Sequence, residues 1–430
     1  MKVAIYTLGC KVNQTESEYM AEILSKAGFE IVDANEKADY YIINSCTVTA
    51  TADQKTRQNV RKFKRKHPDS VVILTGCMPQ AFPKEAEDLI QADIVLGNKN
   101  DGDILNLINQ YNINKNRLIA IDGHKSGDKF RKCEISKFSE RVRAFVKIED
   151  GCDRFCSYCI IPMSRGRVRS KPLADLKSEV ENLADNGIKE IVLVGINLSA
   201  YGKNEDFNIV NAVKICADNE NILRVRLGSL EPDHITDEII HELSKVEKFC
   251  PQFHISLQSG CDKTLKNMNR HYTSDEYKKL CMKLRESFDD TSITTDVMVG
   301  FNEETENDFK ESLQFVKDIG FEKVHTFPYS QREGTNASKK GDSVSKKDKE
   351  ARAGIMIDET NKIRTAYLKS LIGKNASVLF ENEIEKNIFQ GYTKNYTPVR
   401  IKSERDVIGE ILDVTITDSC DDYCIAKLPF

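Results

Sequence analysis

Short apolar runs alternate with helical patterns over the first hundred residues. Val3–Leu8, Tyr40–Asn44, Val71–Thr75 and Ile94–Leu96 predict strands, and Glu16–Ala27 predicts a helix stopped by Gly28. Such alternation means a parallel sheet with helices on its faces. From Tyr111 to Glu140 the chain turns polar, rich in Asn, Lys, Gly and Asp, which predicts a linker. A second alternating block begins near Val142. Its strands are expected at Ala144–Ile148, Ile191–Val194, Arg224–Leu227, Phe253–Leu257, Ser292–Val297 and Lys323–Phe327, with helices such as Leu173–Asn186 and Ser274–Ser287 between them. That pattern predicts a full or partial (βα) barrel, with its active site at the C-terminal strand ends. A helix from about Lys346 to Leu371 closes the block. After Gly373-Lys374 come the β-rich runs Ala376–Phe380, Ile388–Tyr392, Thr397–Ile401 and Val407–Ile416. They predict a small antiparallel, OB-like β-barrel, either a nucleic-acid holder or a structural cap. The expected architecture is α/β in three domains, residues 1–110, 138–372 and 373–430.

The chain has 430 residues, a formal net charge of −4, 13 cysteines and no tryptophan. No apolar run is long enough to cross a bilayer, and Met1–Tyr6 reads directly into a strand, so a cytoplasmic protein is expected. Bulk charge does not announce a nucleic-acid partner; local basic patches would have to meet one. An odd cysteine count in a cytosolic chain points to metal or redox chemistry rather than a disulfide framework.

The sharpest local signal is Cys152-Asp153-Arg154-Phe155-Cys156-Ser157-Tyr158-Cys159, just after the first strand of the second block. Three thiolates on one loop can hold three irons of a [4Fe–4S] cubane and leave the fourth open to a small chelating molecule. Zinc competes less well, because no fourth cysteine or histidine follows at suitable spacing. A second triplet is distributed: Cys10, Cys46 and Cys77 each follow a predicted strand, where the C-terminal ends of a parallel sheet converge on a crevice. Singly, each would be read as a buried thiol. Cys133, Cys216, Cys250, Cys261 and Cys281 are read as core or surface thiols, and Cys420 with Cys424 as a pair without metal partners.

The C-x-x-x-C-x-x-C loop resembles the radical S-adenosylmethionine (SAM) superfamily. The segments around Cys10, Cys46 and Cys77 resemble the N-terminal domain of the methylthiotransferases. Ile160-Ile161-Pro162, Arg165-Gly166-Arg167, Leu193-Val194-Gly195-Ile196-Asn197, Arg226-Leu227-Gly228-Ser229-Leu230-Glu231-Pro232 and His254-Ile255-Ser256-Leu257-Gln258-Ser259-Gly260 extend that likeness through the middle of the chain. The C-terminal module resembles a TRAM domain. Cys261 and Asn302-Glu303 depart from the family pattern.

The resemblance implies two [4Fe–4S] clusters, one on Cys10, Cys46 and Cys77 and one on Cys152, Cys156 and Cys159. It implies SAM contacts from Tyr158, Gly195, Asn197, Ser229, Glu231 and Gln258. It implies that two SAM molecules are used per product: one cleaved to a radical that removes hydrogen from the substrate carbon, the other supplying a methyl group to sulfur. An external electron donor of flavodoxin or ferredoxin type and a sulfur source are implied as partners. The family acts on isopentenylated adenosine in tRNA, on threonylcarbamoylated adenosine in tRNA, or on an aspartate of a ribosomal protein. Gly9-Cys10-Lys11-Val12-Asn13-Gln14 and Arg165–Ser170 most resemble the threonylcarbamoyl branch, whose target is the adenosine beside the anticodon. An unpaired loop base can be splayed into a pocket at modest cost.

Arg57, Arg61 and Lys62 lie in a basic helical stretch near Cys46. With Arg165, Arg167, Lys394, Arg400 and Lys402, they are the candidate contacts to a tRNA anticodon stem-loop. A solvated helix face would look the same. Lys11 and Asn13 are read as groups tuning the N-terminal cluster, or as turn residues. A non-catalytic iron–sulfur RNA-binding sensor is the rival from another class.

Overall fold

β-branched runs at the start of the chain pair side by side in the computed structural model of the protein, which describes residues 1–132, 135 and 142–428. The strands are β1 (Lys2–Thr7), β2 (Glu30–Val32), β3 (Tyr40–Ser45), β4 (Val71–Gly76), β5 (Ile94–Leu96) and β6 (Leu118–Ala120). They lie in the order β2-β1-β3-β4-β5-β6, all parallel. Buried apolar clusters cover both faces of this sheet. The two strands missed in the sequence, β2 and β6, are its edges. Each is three residues long, with one paired flank and at least one exposed position, so neither needs a strong apolar signature.

Two corrections follow. The expected linker at 111–140 is too long, because its first residues finish the helix Ile104–Asn114 and 118–120 pair with β5. The helix expected from Glu16 begins five residues earlier: α1 spans Lys11–Lys26, with Asn13 accepting the Cys10 N–H at 3.3 Å. Cys133 and the expected domain start at 138 lie outside the described residues.

The second unit is built from β7 (Arg143–Lys147), a two-stranded ribbon of β8 (Glu149–Asp150) and β9 (Arg169–Ser170), β10 (Glu190–Val194), β11 (Arg224–Leu227), β12 (Ser229–Leu230), β13 (Gln252–Ile255), β14 (Ser292–Val299) and β15 (Lys323–Pro328). Parallel sheets β11-β10-β7 and β12-β13-β14-β15 are joined through Gly228 into one open arc, a partial barrel. One large apolar cluster fills the space between strands and helices. At one end of the arc α1 packs on β7, where Val12 joins Phe145, Val192 and Val194. At the other, the long helix Lys346–Ser370 packs on β15.

The third unit is a closed barrel of β16 (Asn375–Glu385), β17 (Ile388–Thr393), β18 (Pro398–Lys402), β19 (Ile411–Ser419) and β20 (Cys424–Lys427), in the order β16-β17-β18-β20-β19. The expectation of a wholly antiparallel barrel fails at one pair, since β18 and β20 run parallel. A ring with an odd number of strands cannot alternate direction all the way round, and the unforeseen fifth strand makes the count odd. The strand expected from Val407 starts at Ile411; Val407 is buried just ahead of it. This barrel docks beneath the arc, at the N-terminal end of β11. There Arg224 donates to the carbonyls of Ser377 and Tyr392, and Arg226 to those of Thr393 and Lys394. The C-terminal strand ends are left free to face the first unit.

Candidate active site

Cys10, Cys46 and Cys77 stand at the C-terminal ends of β1, β3 and β4. Cys10 caps α1, Cys46 follows Ser45 directly, and Cys77 opens the short helix α3 (Cys77–Ala81). Tight backbone turns bring them together. Gly76 has φ +96°, and a Cβ there would lie 2.5 Å from the Ser45 nitrogen. Asn13 is the hub of the triad: its Nδ2 reaches Asn44 Oδ1 at 3.3 Å and the Cys77 sulfur at 3.9 Å, while its Oδ1 accepts from the Cys10 sulfur at 3.4 Å. Exposure falls from Cys10 through Cys46 to Cys77, which is 3% exposed. Burial, and next the neighbouring Cys77, push the Cys46 thiol up to about 12. Burial also raises Cys77, against the pull of Arg165. Crowded, desolvated thiols of this kind are poor nucleophiles, and a metal that binds them must displace their protons.

The second triad sits on the loop after β8. The Cys152 N–H donates to the Gly166 carbonyl at 3.0 Å, and the Cys159 N–H to that of Cys156 at 3.0 Å. Ser157 ties the loop to Met268 and Ala337 through backbone hydrogen bonds of 2.9 and 2.7 Å. Arg270 Nη1 lies 3.3 Å from the Cys156 sulfur, and its other arm grips Glu231. Burial, with Cys156 next, lifts Cys159 to about 12. Among the described residues no three His, Cys, Asp or Glu side chains converge on a single-ion site. A cubane suits such spacing better than zinc, because each of its thiolates binds a different iron.

Above this loop the wall holds polar atoms without partners. Asn197 Oδ1 and Gln258 Oε1 are buried and accept no hydrogen bond from the protein, although Asn197 is 4% and Gln258 7% exposed. Gln258 sits at φ +66°, a strained placement for a side chain aimed inward. A polar ligand would satisfy both groups. Gly195 lets the Glu149 side chain pack against the same wall, since a Cβ there would lie 2.7 Å from Glu149 Oε2. Glu231 is held by Arg270 and, at 3.6 Å, by Arg154. Tyr158 packs edge-on against Phe301 with ring centroids 6.1 Å apart. Ser229 is exposed, 3.3 Å from the Ser256 hydroxyl.

A cavity of about 510 Å³ joins the units. Its lining includes Cys10 and Lys11 from the first unit, Gly195, Ser229 and Asp296 from the arc, and Tyr396 from the small barrel. Burial, then the charges of Arg143 and Arg226, lower Lys11 to about 8, so it stays largely protonated at neutral pH.

Residues 2–97 match the Uncharacterized protein family UPF0004, and residues 146–316 match the Radical SAM superfamily. The threonylcarbamoyladenosine tRNA methylthiotransferase MtaB of Bacillus subtilis is 36% identical over 422 residues, covering 96% of this chain and 93% of that protein. The MtaB of Thermotoga maritima is 37% identical, covering 99% and 96%. The chain belongs to the radical SAM methylthiotransferase family. A more distant member, the tRNA-2-methylthio-N(6)-dimethylallyladenosine synthase of Oceanobacillus iheyensis, is 34% identical, covering 97% of this chain and 82% of that protein. In fold, the chain matches the radical SAM methyltransferase TsrM from Kitasatospora setae at a TM-score of 0.53 and 14% identity, covering 76% of this chain and 72% of that one. Methylthiotransferases use SAM and [4Fe–4S] clusters, and the two thiol triads and the unpartnered Asn197 and Gln258 oxygens fit those groups.

One expected RNA contact is overturned. Arg165 is fully buried, bound to both Glu16 oxygens and 3.3 Å from the Cys77 sulfur through Nε, so no phosphate can reach it. Of the others, Arg57 pairs with Glu85 at 3.0 Å, while Arg61 and Lys62 are exposed on α2 (Ala50–Lys66). Arg167 is exposed and stacks on Phe155 at 4.6 Å. On the small barrel Lys394 and Lys402 are exposed, and Arg400 stacks on Tyr423 at 3.6 Å. Sequence reasoning missed Glu16 and Glu149 and placed Arg270 in a family signature without a role; their ion pairs and hydrogen bonds span 39 to 149 residues of chain. Only the fold brings those partners together. Among the described residues no helix is long and apolar enough to cross a membrane.

Proposed function

We propose that this chain adds a methylthio group to C2 of N6-threonylcarbamoyladenosine beside the anticodon of tRNA, consuming two SAM per product. The observation that carries this reading is the shared cavity: Cys10 of one triad and Gly195 and Ser229 of the SAM wall line the same space. The relatives named for the threonylcarbamoyl substrate support the choice of base over isopentenyladenosine.

Cys10, Cys46 and Cys77 would hold one [4Fe–4S] cluster, and Cys152, Cys156 and Cys159 the other, each leaving one iron without a protein ligand. When bound, the clusters and SAM supply the hydrogen-abstracting radical and the methylated sulfur. The chain's own task is to bind, orient and shield. Asn197 and Gln258 offer oxygens to the amino end of SAM, Tyr158 borders the adenine side, and Arg270 and Arg154 fix the Glu231 carboxylate. Val12, Phe145 and Val194 make one wall apolar and keep water from a reactive centre. The tRNA stem-loop is the macromolecular partner; a flavodoxin- or ferredoxin-type protein would deliver electrons, and a separate donor the sulfur. The proposed cluster, radical and RNA-binding domains follow the expected bounds of 1–110, 138–372 and 373–430, except that the first runs on through β6 to residue 120.

The test is Cys10→Ala, reconstituted without oxygen and given a stem-loop carrying threonylcarbamoyladenosine. It is expected to release 5′-deoxyadenosine and form no methylthio product. Methylthiolated RNA from a variant holding only the Cys152–Cys159 cluster would overturn the two-cluster reading. Activity of the native protein on isopentenyladenosine alone would move the substrate.

A further inference from the structure

Lys11 follows Cys10 directly and lines the same cavity. Its ammonium lies 5.6 Å from the centroid of the Phe145 ring, beside the apolar wall of Val12 and Val194. Among the described residues no carboxylate or carbonyl oxygen pairs with it. The other lysine and arginine on the cavity wall are engaged: Lys323 stands 3.9 Å from Asp422, and Arg364 donates to the carbonyls of Glu322 and Asp422. The two histidines there, His254 and His325, pack against each other with ring centroids 5.8 Å apart, and His254 is hydrogen-bonded to Thr294. Behind Lys11, Arg143 pairs with Glu381 at 3.3 Å and Arg226 with Glu190 at 3.1 Å. The wall next to Cys10 therefore carries one uncompensated positive charge in apolar surroundings, where a charge-assisted hydrogen bond is strongest.

Purine geometry says what could meet it. C2 and C6, the carbon that carries the N6 substituent, flank N1 on one edge of the ring. A pose that brings C2 to Cys10 can therefore set the N6 substituent among the neighbours of Cys10. On threonylcarbamoyladenosine that substituent ends in a carboxylate; on isopentenyladenosine it is an uncharged hydrocarbon.

We propose that Lys11 is the counter-ion of the substrate's threonyl carboxylate and the residue that selects this base over one with an alkenyl group. The inference rests on the proposed substrate and adds the contact that reads it. A neutral substituent would leave the ammonium desolvated and unpaired, which costs affinity more than a missing attraction would.

The experiment uses the full-length protein with both clusters and three stem-loop RNAs, carrying threonylcarbamoyladenosine, its methyl ester, or isopentenyladenosine. The native protein is expected to prefer acid over ester on the order of ten- to a hundredfold in kcat/KM, mostly through KM. Lys11→Gln should erase that preference and Lys11→Arg should restore it, with matching changes in Kd measured anaerobically without turnover. Iron and sulfide counts report whether a variant keeps its clusters. If Lys11→Gln loses iron, native binding decides, and equal Kd for acid and ester refutes the proposal. A Lys11→Gln protein that discriminates as the native one does also refutes it, while leaving the substrate intact. A native protein that methylthiolates only the isopentenyl RNA refutes both.

Discussion

Arg165 aims its Nε–H at the sulfur of Cys77 from 3.3 Å while its two terminal nitrogens clasp the Glu16 carboxylate. The arginine ends the short helix Ile161–Arg165 that follows the Cys152 triad, and its partners come from the first unit, so one guanidinium joins the two thiol sites. Burial by itself would raise Glu16, but the charges of Arg165 and Lys147 outweigh it and hold the carboxylate below its usual range. Arg165→Ala is expected to destabilise the protein by at most about 3–5 kcal/mol, because the buried Glu16 carboxylate loses its bidentate partner and keeps only Lys147 at 2.8 Å. A cationic donor at a thiolate favours the reduced, more negative cluster. Its loss should lower the midpoint potential of the N-terminal cluster and leave the other unchanged. Thermal unfolding and an EPR-monitored redox titration check the two halves separately. Equal potentials in native and variant protein would rule out the electrostatic role.

Gly76→Ala separates the two sites from the other side. At φ +96° an alanine is strained, and its Cβ would lie 2.5 Å from the backbone nitrogen of Ser45. Cys77 follows directly, so the N-terminal triad should open while the Cys152 loop, held by Gly166, Met268 and Ala337, stays formed. The expected protein binds half the native iron and still releases 5′-deoxyadenosine from SAM. Full iron content would show that β4 tolerates the shift.

Glu149 links pH to stability. Its side chain is fully buried, one oxygen accepts the Asn197 N–H at 2.6 Å, and the other has no partner. Burial is the main cause that raises its pKa well above the ordinary carboxyl value of 4.5, and the Asn197 bond opposes it. A carboxyl raised by folding contributes stability that is complete below about 4.5 and is lost as pH climbs through the raised value. Glu149→Gln keeps an acceptor for Asn197 and cannot ionise. Its melting temperature should fall less than that of the native protein as pH rises from about 4.5. Parallel curves would mean that Glu149 does not ionise in that window.

Much of this was legible because two kinds of signal are local. Strand ends followed by cysteine, as at Ser45-Cys46 and Gly76-Cys77, and the spacing of Cys152, Cys156 and Cys159 survive in any fold that pairs those strands. Arg165 shows the limit. Within Arg165-Gly166-Arg167 the two arginines look alike, yet one is sealed against Glu16 and Cys77 and the other is exposed on Phe155. A buried cation is identified by its partners, and these lie 149 and 88 residues away. The parallel β18–β20 pair was hidden for a similar reason: Cys424–Lys427 is four residues long and alternates buried with exposed, which is too short for periodicity to declare.

The basic face of α2 should make tRNA binding salt-dependent. Arg61, Lys62, Arg65 and Lys66 are exposed, whereas Arg57 is tied to Glu85 and Lys64 to Asp93 at 2.8 Å. The helix starts beside the Cys46 loop: Thr49 caps it, and Asp53 in its first turn is bound by Arg332 and Thr47. A phosphate backbone lying along this face would release counterions at the free cations and little at the paired ones. Arg61→Ala with Lys62→Ala is therefore expected to reduce the slope of log Kd against log salt by roughly one per lost contact, while Arg57→Ala changes it less. Because phosphate contacts carry no sequence information, affinity should fall equally for modified and unmodified stem-loops. An unchanged slope in the double variant would assign this face to solvent and leave the small barrel, with Lys394, Arg400 and Lys402, as the place to look.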